Sequence, residues 1–308
     1  MIEIRRILCP IDFSDFSRHA LDHAVAIAKW YGSTITLFNV APLVPAIAYA
    51  PGTPMLPVTV PTPDDLDALL ASMKRFAAVE TAGSVPMQFE IGEGDAAAEI
   101  LDRSNAIPSD LVVMGTHGRS GFERLILGSV TEKVLRQATC PVLTVPRNSA
   151  DAVPAPPVLF TRILCAIDFS ECSMHALDYA VSLAQEAEAH LTVAHVIEVP
   201  STIATDVDRP ITDRPRSLRE YVAEVEEDRR AQLTQAVPDT VRTYCPVETV
   251  LATGKPYQEI LRIAAEQKSE LIVIGIHGRG GVDLLFFGST TQHVVRRASC
   301  PVLTLRKG

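Results

Sequence analysis

One stretch of this chain constrains the rest, because it occurs twice. Residues 114–145 read MGTHGRSGFERLILGSVTEKVLRQATCPVLTV, and residues 274–305 read IGIHGRGGVDLLFFGSTTQHVVRRASCPVLTL. Each copy opens on an apolar run, Leu111–Met114 or Leu271–Ile274. Glycine, two residues, glycine, nine residues and glycine-serine then follow: Gly115, Gly118, Gly128 and Ser129 in the first copy, Gly275, Gly278, Gly288 and Ser289 in the second. A helical pattern starts at Val130 or Thr290, stops at Cys140-Pro141 or Cys300-Pro301, and gives way to a short apolar strand. Glycines let a backbone approach a ligand with no Cβ in the way. Ser129 and Ser289 stand where a helix N-cap is expected. The free N–H groups and positive dipole of such a helix end favour an anion. The pattern thus predicts a phosphate cradle, although its spacing is neither that of a P-loop nor that of the dinucleotide fingerprint. A plain glycine-rich turn would explain one copy equally well. Two copies with the same internal spacing weigh for the cradle.

The repeat extends over the whole chain, which makes it the first guide to the fold. Arg6–Val40 aligns without gaps to Arg162–Val196 with 18 of 35 positions identical. The glycine motifs align at an offset of 160 rather than 156, so the second copy gains four residues in between. With 308 residues, two domains are expected: 1–147 and 161–308, joined by a linker over 148–160 that contains Pro154, Pro156 and Pro157.

Each copy alternates strand and helix patterns. First strands are expected at Arg6–Asp12 and Arg162–Asp168, helices at Phe16–Tyr31 and Ser173–Glu188, and second strands at Thr34–Val40 and His190–Val196. Residues 41–63 of the first copy form a proline-rich, mostly uncharged loop, read as a tolerated insertion whose apolar residues would also suit a partner surface. Helices follow at Asp64–Ala82 and Ser217–Val237. The charges of the latter, Glu224 to Arg230, are read as a solvated face and not a binding site. Third strands near Met87–Ile91 and Val247–Leu251 and short helices at Ala96–Asn105 and Tyr257–Lys268 precede the glycine motifs. Such alternation indicates a parallel α/β sheet. With a strand order of 3-2-1-4-5, the ends of strands one and four flank the switch point where ligands bind. Asp12 then meets Gly115, and Asp168 meets Gly275.

These features together resemble the universal stress protein family in its tandem two-domain form, over nearly the whole chain except the proline-rich loop and the linker. The resemblance implies an α/β fold of two tandem Rossmann-like, adenine nucleotide alpha hydrolase-like domains, each a five-stranded parallel sheet of order 3-2-1-4-5 flanked by helices. It implies ATP as ligand in each domain, with Mg²⁺ bridging phosphates and keeping several waters. By that resemblance Asp12 and Asp168 lie at the adenosine end, and Val40 and Val196 pack on adenine. Gly115, Gly118, Gly275 and Gly278 follow the ribose and phosphates. Gly128, Ser129, Gly288 and Ser289 hold the β- and γ-phosphates at the helix starts that continue into Val130 and Thr290, with Arg119 and Arg279 nearby. Pro10 against Ala166 is a departure that alters the loop under the base. Single-domain members imply a further expectation: an internal pseudo-dimer in which Pro141–Val145 and Pro301–Leu305 pair antiparallel, so that neither apolar edge stays open. Association of two chains into a homodimer is left open.

Other readings of these residues remain at this point. Asp12 could simply cap the following helix. His117 and His277 have no paired base or nucleophile, so they are read as structural or as peripheral ligand contacts, and no catalytic residue and no protein metal ligand is assigned. The six cysteines show no C-x-x-C pair and no zinc spacing, which fits buried thiols in a reducing cytoplasm. The chain is 47% hydrophobic and 21% charged, as folded domains are. Its net charge of −9 speaks against a general nucleic-acid or membrane-surface binder. Met1 to Arg6 run straight into a strand pattern, with no leader expected, and no apolar run reaches the ~20 residues of a membrane helix. The leading expectation is a cytoplasmic, ATP-binding stress-response regulator with protein partners unknown. A slow ATPase or adenylyl-transferring enzyme and a nucleotide-free interaction module are the alternatives.

Overall fold

The computed structural model describes residues 2–41, 44–45, 58–59, 61–81, 85–106, 108–118, 127–146, 160–198, 216–278 and 288–306. Most of the proline-rich loop, the linker, Arg119 and Arg279 lie outside the described residues. The chain divides into two compact units, Glu3–Val158 and Leu159–Gly308.

The first unit runs β1 (Arg6–Pro10), α1 (Asp15–Tyr31), β2 (Thr34–Ala41), the two-residue strands β3 (Val44–Pro45) and β4 (Val58–Thr59), α2 (Pro63–Thr81), β5 (Met87–Glu93), α3 (Ala96–Ala106), β6 (Leu111–Gly115), α4 (Ser129–Gln137) and β7 (Val142–Val145). β1 is central and pairs in parallel with β2 and with β6. β5 flanks β2, and β7 flanks β6, again in parallel. The short β3 and β4, both within the proline-rich segment, pair antiparallel with each other.

The second unit repeats the plan: β8 (Arg162–Ala166), α5 (Glu171–Glu186), β9 (His190–Ile197), α6 (Arg216–Ala236), β10 (Val247–Thr253), α7 (Pro256–Glu266), β11 (Leu271–Gly275), α8 (Ser289–Arg297) and β12 (Val302–Leu305). β8 pairs with β9 and β11, β10 with β9, and β12 with β11, all in parallel. Counting the five strands of each unit's parallel sheet in chain order, both sheets therefore run 3-2-1-4-5. A short 3-10 turn at Val241–Thr243, not expected from the sequence, leads into β10.

The central strands are apolar on both faces because helices cover both. Ile7 to Pro10 and Ile163 to Ala166 are all buried. Both first strands stop two residues short of the aspartate, so Asp12 and Asp168 sit in the loop just beyond. α1 starts where Ser14 accepts a hydrogen bond from the Ser17 N–H and stops at Gly32, whose φ of 65° lies in the left-handed region. In the second unit the equivalent position is Glu188, which adopts φ 51° without glycine's freedom. Alanines at helical spacing, Ala20, Ala24 and Ala28, let α1 lie close to the sheet. At the far end of each sheet a carboxylate clips strand one to strand four. Asp110 accepts from the Arg5 and Arg6 N–H groups at 2.9 and 2.8 Å. Glu270 accepts from the Thr161 N–H at 2.6 Å and from Arg162 Nη2 at 2.9 Å.

All six cysteines are free thiols. Cys9 and Cys165 are 0% exposed in the middle of the central strands. Burial raises both far above an ordinary thiol, and it raises Cys140 to about 11 and Cys300 to about 12. The thiolate is the reactive species. At pH 8 a disulfide reagent should therefore modify Cys9 and Cys165 only as fast as their units unfold. Rapid modification of either in the absence of denaturant would contradict this packing.

Candidate functional site

The site assembles at the carboxyl ends of strands one, two and four, and it starts from a strained turn. Phe13 and Phe169 follow the two aspartates with φ of 64° and 62°, a conformation that bulky residues rarely adopt. Such strain costs about 1–3 kcal/mol and persists only where surroundings hold it. Aromatic packing does so here: Phe13 meets Phe76 edge-on at 5.6 Å, and Phe169 packs on His195 at 4.6 Å. The turn is also latched to strand two. Asn39 Nδ2 donates to the Ile11 carbonyl at 2.7 Å, and His195 Nδ1 lies 2.8 Å from the Ile167 carbonyl. The Ile11 and Ile167 N–H groups donate in turn to the Phe38 and Ala194 carbonyls, each at 2.8 Å.

The turn fixes the aspartates. Asp12 Oδ1 accepts from the Ser14 N–H at 3.1 Å and from the Ser14 and Ser17 hydroxyls at 2.5 Å each. Asp168 Oδ1 repeats the bonds to Ser170, at 3.1 Å from N–H and 2.5 Å from hydroxyl. The true caps are thus Ser14 and Ser170. The aspartates orient those caps with one oxygen and turn the other, Oδ2, toward the glycine motif. A Cβ on Gly118 would stand 2.6 Å from Asp12 Oδ2, and one on Gly278 would stand 2.5 Å from Asp168 Oδ2. Any side chain there would have to displace the carboxylate from this position, so glycine suits the protein's own packing at both positions.

At the third motif glycine the structure shifts the expected cap by one residue. Gly128 and Gly288 are the N-caps, while Ser129 and Ser289 are the first helical residues, because each glycine N–H folds back onto the loop, donating to the Thr116 or Ile276 carbonyl. Among the described residues no side-chain cap bond is made at either helix start, which leaves the first-turn N–H groups of each helix without a side-chain acceptor among those residues. Thr131 and Thr291 tie each helix start to its strand end. Their hydroxyls donate to the Gly115 and Gly275 carbonyls at 2.9 and 2.8 Å. Identical threonines three residues beyond the glycine in both copies were the sequence signal for this anchor, which motif spacing alone passes over.

In the second unit these elements enclose a cavity of about 900 Å³. Asp168, Val196, Gly275, Gly278, Gly288, Ser289 and Thr290 all line it, so every expected second-copy residue among those described is brought together. Ala166, Ala194, Ile260 and Ile274 supply apolar wall. Two residues come from α6: Val225 and Arg229 also face the cavity. This corrects the expectation that the charges of that helix form only a solvated face. Arg229 packs over the Phe169 ring at 5.9 Å and bonds Gln232 through Nη1 at 2.6 Å, which turns it inward while Glu224, Glu227 and Asp228 remain exposed. Its contribution depends on a helix far along the chain and leaves no local signature. In the first unit Asp12, Val40, Gly115, Gly118, Gly128, Ser129 and Val130 occupy the corresponding positions.

His277 lines the cavity, and its Nε2 is buried with no hydrogen-bond partner among the described residues; His117 Nε2 is in the same condition. Burial, with a smaller effect from Arg306, lowers the His277 pKa, so the ring is neutral at pH 7. A buried polar nitrogen beside a helix start suits a polar ligand that would satisfy it. No three His, Cys, Asp or Glu side chains cluster as metal ligands among the described residues.

Fold and site together define a duplicated, parallel α/β protein with a cleft at the switch point of the second unit's sheet. The chain belongs to the universal stress protein family, whose profile matches residues 3–146 and 159–306. It is 32% identical over 148 residues to a universal stress protein of Bacillus subtilis, matching 48% of this chain and 100% of that one. A universal stress protein of Mycolicibacterium smegmatis is 26% identical over 304 residues, 97% of this chain and 96% of its own. The fold is shared with the crystal structure of a universal stress protein from Archaeoglobus fulgidus, at a TM-score of 0.63 and 24% identity over 100% of both chains.

Proposed function

We propose that this protein binds an adenine nucleotide, ATP, in its domains and acts as a nucleotide-dependent regulator of the stress response. One observation supports this most: in the second unit the described part of the glycine motif, Asp168 and the start of α8 converge on one cavity of about 900 Å³, a size that suits small-molecule sites. The apolar wall of Ala194, Val196 and Ile260 suits a base. The N–H groups at Ser289 and Thr290, with the helix dipole behind them, suit phosphate oxygens. Asp168 Oδ2 would meet the ribose end, and the His277 Nε2 would offer a further polar contact. Mg²⁺ would ride on the phosphates and keep most of its waters, since that ion needs only one or two protein ligands. Arg119 and Arg279 would sit near the phosphates, as the resemblance to the family implies.

Regulation would follow from occupancy: a nucleotide shifts the protein between states that differ in what they offer a partner, by the difference in its affinity for those states. Location in the cytoplasm, where ATP is abundant, belongs to the same reading. Among the described residues no helix is long and apolar enough to cross a membrane.

Mass spectrometry of small molecules released from freshly purified, denatured protein tests the ligand class. An adenine nucleotide is the expected product, and protein that neither carries nor takes up one would refute the proposal. Hydrolysis is expected to be far slower than the ~1–100 per second of kinases, because no side chain among the described residues is poised as a base. Metal-dependent turnover in that range, lost on mutating Asp12 and Asp168, would make the protein an enzyme instead.

A further inference from the structure

The two copies part company where the second strand runs under the helix that follows the third. β2 carries Phe38 where β9 carries Ala194, each two residues before the valine expected at the base. The register Phe38↔Glu90 and Val40↔Gly92 puts Phe38 and Gly92 on one face of the sheet. The ring is buried, and its Cζ lies 2.8 Å from where a Cβ on Gly92 would stand. Glu99 of α3 closes the same spot, with Oε2 3.0 Å from that point. The benzyl group therefore rests on bare backbone between the sheet and α3. In the second unit the register Ala194↔Val250 and Val196↔Ala252 places Ala194 and Ala252 in the corresponding positions. There Ala194, together with Val196 and Ile260 of the facing helix, lines the cavity of about 900 Å³. A benzyl group against a bare glycine in one domain thus corresponds to two methyls in the other.

Mutual adjustment of packing explains why a large residue is paired with glycine. It does not explain why the small residue of the other copy faces an open cavity. Pro10 in place of Ala166, another cavity-lining residue, thickens the same wall of the first site.

We infer that the two nucleotide sites are inequivalent, with Phe38 filling the deep apolar part of the first and Ala194 leaving it open in the second. This rests on the nucleotide-binding reading above. The second domain then carries the tight site for the base of an adenine nucleotide. The first takes the same ligand more weakly, since a base entering as deeply would have to expel a ring already packed against backbone that has no slack.

ATP titrated into the full-length chain by calorimetry, with bound equivalents counted by native mass spectrometry, tests this. Wild type should show one tight equivalent and a second at least about tenfold weaker, and Gly288→Glu should remove the tight one. The double variant Ala194→Phe with Ala252→Gly copies the first domain's pair and should weaken the tight equivalent at least about tenfold. The reciprocal variant, Phe38→Ala with Gly92→Ala, removes bulk and should bring the weak equivalent toward the tight one. It carries the test if the first variant melts early. Two equal equivalents in wild type overturn the inference and leave nucleotide binding standing, as does an unaltered second equivalent in the Phe38 variant. No bound ATP in any form overturns both.

Discussion

Gly288→Glu is expected to weaken ATP binding by the second domain at least about 100-fold, equivalent to about 2.7 kcal/mol. The cause is steric first. A Cβ at position 288 would stand 2.7 Å from the Ile276 carbonyl oxygen, an atom held in the backbone that leads into the glycine loop. Even alanine must push the helix start away from that loop. Glutamate adds a negative charge where phosphate would bind. That charge favours the helix itself, because an anion at an N-terminus is stabilised by the dipole. The dipole returns only about 0.3–1 kcal/mol, so the variant should melt somewhat below wild type, and amide exchange in β8 and β11 should show the second unit still folded while the ligand is lost. The equivalent Gly128 is less tightly held, with the Thr116 carbonyl at 3.1 Å from its Cβ position, so Gly128→Ala should be milder than Gly288→Ala. Calorimetry on both glutamate variants and on their combination decides the matter. A double variant that binds ATP as wild type does would sink the site.

A second large effect is expected from Leu164→Ala. Leu164 is 0% exposed at the centre of the second sheet, opposite Thr192 on one neighbour and Ile272 on the other. Close packing on both faces leaves little room to collapse, so the substitution should cost about 2–5 kcal/mol. The cavity lies near the turn that holds Asp168, and stability and ligand are thereby linked. ATP at about 1,000 times its dissociation constant should return about 4 kcal/mol. Amide exchange resolves this by unit: protection in β8 and β11 should fall in the variant and recover with ATP. Protection in β1 provides the internal reference. A variant whose second unit is destabilised but gains nothing from ATP would show that the ligand does not bind this folded unit.

Much of the plan was legible without coordinates. The duplication, the alternation of strands and helices and the spacing of the glycines are local patterns, and local patterns follow from period and backbone freedom. The glycine spacing also carries the resemblance to the family, and that resemblance implies the 3-2-1-4-5 order. Boundaries moved by one or two residues: the helix cap fell on Gly128 and Gly288, not on the serines, because each glycine N–H is taken by a loop carbonyl. What only the tertiary structure decided concerns contacts between residues far apart in the chain. Phe13 and Phe169 adopt positive φ because packing partners, including Phe76 and His195, hold them. Arg229 turns into the cavity because the Phe169 ring lies beneath it. Phe38 can rest on the sheet only because Gly92, on the neighbouring strand opposite Val40, has no side chain. None of these is written in the periodicity of its own segment, since each is settled by the space that a distant segment leaves.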